Sequence, residues 1–277
     1  MLPRAVAVLS PALAVLAFAS CAGSSGTQPQ VSVSASPKLL PAFRRGVHDY
    51  VSRCARSGLD LKLSGRPGTK LRVDGHPTGR TATPHVPLAA GEATTISASS
   101  GSRQVAYRVR CLPTDFPRWT AHVRGRAQAA WFLTLPETLS PHGTYATIFD
   151  RHGVPVWWLK APRQPFDAEW LPGHRVAWTQ RREVELATQP HPYEVHALDG
   201  SNLGEIQGRG MATNFHELRP LANGNFLIVG MSPRDGVDLR RYGGPAKATV
   251  LDGVVQEVTP QGKVVWSWSS YGHIPLS

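Results

Sequence analysis

The 277-residue chain carries a formal charge of +11, from 30 Lys or Arg against 19 Asp or Glu. The basic residues are scattered, as at Arg44-Arg45, Arg181-Arg182 and Arg240-Arg241, with no dense basic run interleaved with aromatics, so no nucleic-acid partner is expected. Positive charge of this kind suits an anionic cell surface, lipid headgroups or anionic substrates.

The first element is a targeting segment, read as a signal peptide over 1–20. Arg4 supplies the positive start, and Ala5 to Phe18 is apolar apart from Ser10 and Pro11. That length suits a signal core and is too short for a membrane-spanning helix. Two processing readings stay open. Ala17-Phe18-Ala19 is an A-x-A site for ordinary secretion, while Phe18-Ala19-Ser20-Cys21 resembles a bacterial lipobox, with Phe18 where Leu is commoner. The second reading makes Cys21 a lipid attachment point, puts the protein on the outer face of the cell membrane, and makes the membrane a partner. Residues 21–30, which include Ala22-Gly23-Ser24-Ser25-Gly26-Thr27, then form a flexible tether. With Cys21 set aside, Cys54 and Cys111 remain, 57 residues apart. An even pair in an oxidising compartment reads as a disulfide, with two buried free thiols as the alternative. Neither the cysteines nor His152, His174, His191 and His196 have the spacing of a metal site, so no metal is expected.

Glycine (26) and proline (24) are frequent, and helical periodicity is nearly absent, which points to an all-β chain. The first unit is placed at 31–113. Leu61-Lys62-Leu63, Leu71-Arg72-Val73 and Val105-Ala106-Tyr107-Arg108-Val109 alternate apolar with polar, the pattern of strands with one wet face. Turns at Asp74-Gly75 and Ala90-Gly91 separate them. Strands at this spacing predict a small Ig-like β-sandwich. Pro41-Ala42-Phe43, Asp49-Tyr50, Val73-Asp74-Gly75, Val86 to Gly91 and Tyr107-Arg108-Val109-Arg110 resemble a cadherin-like sandwich module. Leu112-Pro113-Thr114-Asp115-Phe116-Pro117 reads as a linker, stiffened by its prolines.

The second unit, 118–277, repeats itself. Ile148 to Trp158, Glu194 to Ile206 and Val254 to Trp268 each read as strand, polar turn, strand, with turn glycines at 153, 200 and 262. A second pattern interleaves with the first: Phe166 to Trp178 aligns with Phe215 to Val229, with Gly173 and Gly224 51 residues apart. Alternating hairpins at a period near 50 predict propeller blades. Asn223-Gly224 reads as a hairpin turn in which both residues accept positive φ. Only two to three blades fit, where a closed ring needs more. The expectation is therefore an incomplete β-propeller, from a truncated product or one that exposes an edge for a second polypeptide to cover. Trp157, Trp158, Trp266 and Trp268 read as blade core.

Pro155-Val156-Trp157-Trp158, His216-Glu217-Leu218-Arg219 with Leu221-Ala222-Asn223-Gly224-Asn225, and Val255-Gln256-Glu257-Val258 with Gly262 to Trp268 resemble the bacterial arylsulfotransferase family. The resemblance covers about 150 residues. It implies a six-bladed propeller that moves a sulfuryl group from a phenolic sulfate ester to another phenol through a sulfated histidine, without a nucleotide donor or other cofactor. His216 matches the family's first active-site histidine, which holds a sulfate oxygen as charge builds. Asn214 stands where the family usually has Asp, and Gly272 stands before His273 where it tends to have Asp. The family's remaining catalytic groups belong to later blades. The resemblance therefore implies an exported, lipid-anchored relative that is inactive alone. The alternative is a non-catalytic cell-surface binding or structural lipoprotein. Arg240-Arg241 is a weaker candidate for a sulfate contact.

Overall fold

The computed structural model describes residues 28–125, 127–136, 142–180 and 189–277; the signal segment, Cys21 and most of the tether lie outside them. Among the described residues regular structure is all strand apart from one 3-10 turn at Arg240–Tyr242.

Nine strands come first: β1 (Val31–Ser36), β2 (Asp49–Ser52), β3 (Leu59–Gly65), β4 (Lys70–Val73), β5 (His76–Thr78), β6 (Thr81–Ala82), β7 (His85–Val86), β8 (Ala93–Ser100) and β9 (Arg103–Cys111). One sheet runs β1-β3-β6, with β7 also on β3, and the other runs β2-β9-β8-β4-β5. The alternation in the sequence decides which side faces in. Leu59, Leu61 and Leu63 of β3 are buried while Asp60 and Lys62 face water. Val105, Tyr107, Val109 and Cys111 of β9 do the same from the opposite sheet, and the two inner faces make one core. Asp74 and Gly75 both take positive φ, 47° and 81°, closing the β4–β5 hairpin. Cys54 and Cys111 form a disulfide with Cα atoms 5.4 Å apart.

The linker of residues 112–117 is packed against both units. Phe116 is 1% exposed, with ring centroids 5.8 Å from Trp119, 5.1 Å from Tyr145 and 5.6 Å from Trp158. Arg53 donates to the carbonyls of Phe116 and Pro117, both at 3.0 Å. The prolines read as stiffeners do fix the path, but an apolar ring between them converts the path into a joint. The sandwich core thus continues into the second unit through Tyr145 and Val154.

Asp115 closes the same joint, accepting from the Tyr145 hydroxyl and the Lys160 ammonium, both at 2.6 Å. The Lys160 bond, then the Tyr145 bond, hold its carboxyl below the usual carboxylate range, against the opposing effect of burial. A depressed folded-state pKa contributes stability above the unfolded value of about 3.9 and loses it as pH falls through the folded value. Asp115→Asn is expected to cost about 1 kcal/mol near neutral pH, because the half-exposed Lys160 screens the pair. It is also expected to flatten the acid limb of a stability–pH curve measured by urea unfolding.

The second unit holds β10 (Trp131–Thr134), β11 (Thr144–Asp150), β12 (Pro155–Ala161), β13 (Pro165–Leu171), β14 (Arg175–Gln180), β15 (Tyr193–Ala197), β16 (Asn202–Ile206), β17 (Ala212–Pro220), β18 (Phe226–Val237), β19 (Ala248–Val258) and β20 (Val264–Ser269). They form three antiparallel meanders, β10-β11-β12, β13-β14-β15-β16 and β17-β18-β19-β20. The sheets stack face to face in chain order. Val176 and Trp178 of β14 meet Ala146, Leu133 and Trp157 of the first sheet; Ala177, Tyr193 and Val195 meet Leu218, Ile228 and Val258 of the third. None of the sheets closes into a barrel. The chain is a β-sandwich followed by a partial propeller.

The repeat is exact in its turns. Gly153, Gly200 and Gly262, at φ 74°, 92° and 75°, each donate to the carbonyl three residues back, on Asp150, Ala197 and Thr259. The same two-bond turn joins β17 to β18, where Gly224 donates to Leu221 and Leu221 to Asn225. There only Gly224 takes positive φ, at 85°; Asn223 keeps negative φ because the loop is longer than two residues. These turns set β10 level with β14 and β18. The first sheet therefore has no counterpart of β13 or β17 among the described residues.

Among the described residues no further sheet packs on one face of the third sheet. Cross-strand rows Leu227–Glu257–Trp266 and Val229–Val255–Trp268 point away from the second sheet. Trp266 is 49% exposed, so it is not blade core here, whereas Trp157 is packed between sheets and Trp158 at the joint.

Candidate functional site

β13 and β17 are the first strands of their sheets and lie side by side, and both are interrupted at the same place. The β13–β14 ladder passes from Phe166↔Thr179 to Glu169↔Ala177, so Asp167 and Ala168 bulge. The β17–β18 ladder passes from Thr213↔Gly230 to Leu218↔Ile228, so four residues, Asn214 to Glu217, arch out of the sheet. A bulge re-aims side chains and frees backbone groups, which is why such sites collect polar residues. Phe166 and Phe215 occupy equivalent positions and meet edge to face at 5.7 Å. His216 then falls where Asp167 stands one blade earlier.

His216 is exposed at the crest of the arch. Its Nδ1 is hydrogen-bonded to Oδ1 of Asn214, which is buried, and its ring lies against Phe215 at 4.1 Å. With the amide oxygen as acceptor, the imidazole donates from Nδ1, and Nε2 is not part of that bond.

The surroundings are acidic. Asp167, at φ 45°, accepts from the Tyr193 hydroxyl at 2.6 Å and from the Leu218 N–H at 3.1 Å, tying the second sheet to the third. Burial, then the bond to Asp167, push the Tyr193 hydroxyl upward. Glu169 is raised by burial, with Arg219 opposing and Asp167 and Glu217 adding to the rise. Arg219 donates to Glu217 at 3.0 Å and lies 3.8 Å from Glu169. Two carboxylates thus engage the one guanidinium, and the third, Asp167, is held by Tyr193 and the Leu218 N–H.

Other sequence candidates are placed plainly. Arg240 is held by Asp238 at 2.6 Å, and Arg241 lies 4.7 Å over the Tyr242 ring. His273 is in the turn after β20, its Nδ1 2.7 Å from the Ser269 carbonyl. His196 stacks on Trp178 at 4.2 Å and is buried. Cys54 and Cys111 staple the sandwich, and Cys21 lies outside the described residues. Sequence reasoning named His216 and missed Asp167, Glu169, Tyr193 and Arg219. The alignment of Phe166 with Phe215 already placed Asp167 opposite His216, and was the signal for the group.

No protein-family model matches the chain, and no curated protein does. Among solved structures it is similar to one described as the crystal structure of the eukaryotic initiation factor, at 12% identity and a TM-score of 0.33, over 87% of this chain and 54% of that one. The chain thus spans about half the length of that structure, and a likeness this distant carries nothing about function.

Proposed function

We propose that this protein is an exported, lipid-anchored surface protein whose second unit is part of an arylsulfotransferase-like propeller, without turnover of its own. One observation carries the reading: His216 stands exposed on the arch with the Asn214 amide oxygen as its hydrogen-bond partner, and the arch's neighbouring Arg219 is engaged by Glu217 and Glu169. Sulfuryl transfer needs donors and cations aimed at the oxygens where negative charge develops. A nucleophile or donor without those partners forfeits most of the rate. The repeated turn geometry, and the position of His216 on the first strand of its sheet, are what support kinship with the family. The face of Leu227, Val229 and Val255, half-buried and without a further sheet against it among the described residues, supports a second polypeptide that supplies further blades.

The purified chain, offered a phenolic sulfate ester and a phenol acceptor, is expected to release no product above the buffer rate. Product formation abolished by His216→Ala would overturn the claim of inactivity and make the chain an enzyme.

A further inference from the structure

We propose that Arg45, Arg66 and Arg80 form a binding site for a phosphate ester group, at the end of the sandwich where the tether enters. The three side chains line an open cleft of about 340 Å³ together with Ser32 and Ser64, and no carboxylate lines it. Among the described residues none of the three guanidinium groups is held by an ion pair or a side-chain hydrogen bond. Three unneutralised guanidinium groups around one cleft repel one another, and an oxyanion relieves this while accepting forked hydrogen bonds.

Each arginine is carried on fixed backbone. Arg66 opens the turn Arg66-Pro67-Gly68-Thr69, closed by Thr69 N–H to the Arg66 carbonyl at 3.0 Å, with Gly68 at φ 81°. Pro and Gly in those two places are what a type II turn requires. Arg80 is pinned to the neighbouring strand, its carbonyl accepting from Gly65 N–H at 2.8 Å, and Arg66 N–H reaches the Gln30 carbonyl at 3.1 Å. Arg45 sits in the 44–47 turn, which the buried Tyr50 ties down. The Tyr50 hydroxyl lies 2.6 Å from the Arg44 carbonyl and 2.9 Å from that of Val47, and accepts from Arg44 N–H at 3.0 Å. Turns set in advance reduce the ordering cost of binding.

The distribution of charge agrees. Residues 28–113 hold thirteen Lys or Arg against four Asp or Glu, a net +9, whereas residues 114–277 hold sixteen against fifteen, a net +1. The positive field that would attract an anion therefore belongs to the sandwich. Gln30 lines the cleft and follows Cys21 by nine residues, a span of at most about 32 Å. A phospholipid headgroup is within that reach if Cys21 is lipidated, and a soluble phosphate ester satisfies the same chemistry if it is not.

The test uses the full chain with Cys21→Ser, so that failure of the anchor and failure of the site are separate results. Binding is measured to inorganic phosphate and glycerol 3-phosphate by calorimetry, and to phosphatidylcholine vesicles with and without phosphatidylglycerol by co-sedimentation. Arg66→Gln with Arg80→Gln is compared with Lys38→Gln and Arg56→Gln, an equal charge loss near the opposite end of β3. At about fivefold per arginine, the cleft pair is expected to lose at least about tenfold in affinity and the control pair much less. Unchanged thermal midpoints establish that both variants are folded. Loss confined to the cleft pair supports the site, and the probe that binds, vesicle or soluble ester, identifies the source. Equal loss in both pairs, or no binding to any probe, overturns it.

Discussion

Phe116→Ala is expected to destabilise the protein by about 3–5 kcal/mol and to split its thermal unfolding into two transitions. The ring is enclosed by Trp119, Tyr145 and Trp158 at 5.1 to 5.8 Å, and aromatic contacts of this geometry add to the area they bury. Tyr145 and Val154 belong to the second unit yet lie in the sandwich core. With Phe116 in place the two units share packing and are expected to melt together. Without it, the joint keeps the Arg53 bonds to two carbonyls, the Asp115 pair, the Trp119 N–H to the Gly153 carbonyl and the packing of Tyr145 and Val154 around an empty centre. Differential scanning calorimetry of both proteins is the check. A single transition retained in Phe116→Ala, at a cost below about 1 kcal/mol, would mean the units are coupled elsewhere.

How much of this was legible in the sequence depends on how many faces each strand buries. β3 and β9 bury one face, so period-two alternation exposed them. β14 is packed on both sides; Val176 to Thr179 are all buried, and the alternation vanishes into a continuous run. Its position was recoverable only through the repeat around Gly173 and Gly224. The packing at the joint was not legible because Pro-rich composition signals a fixed path and says nothing of what the path touches. The acidic group beside the arch was hidden for another reason. Asp167 and His216 are 49 residues apart, and only the shared interruption of their strands brings them to one place. The arginine cleft was the least visible, because residues 45, 66 and 80 carry no common motif and meet only where β1, β3 and β6 end together.

The second large effect is expected at the disulfide. Cys54→Ser with Cys111→Ser, or reduction of the native protein, should cost about 4 kcal/mol, from the loop entropy of 57 residues between the cysteines. The closed loop contains β3 to β9, so nearly every sandwich strand is held in the unfolded chain by one bond. The native state is already organised to receive it. Ser52 lies beside Cys111 in the parallel β2–β9 pair, and Leu112 N–H reaches the Ser52 carbonyl at 2.9 Å. Cys111 is fully buried, so serine there also places a hydroxyl in the core and adds to the loss. Reduction without substitution separates the two contributions. Because Phe116 carries the sandwich core into the first blade-like sheet, loosening should reach β11 and β12. It should fade by β18 and β19, whose core lies between the second and third sheets. Hydrogen exchange with and without reductant tests this gradient: equal loss of protection in all sheets would show that the blades depend on the sandwich for their own folding, and a cost below about 1 kcal/mol would show that the reduced unfolded chain already keeps its ends together.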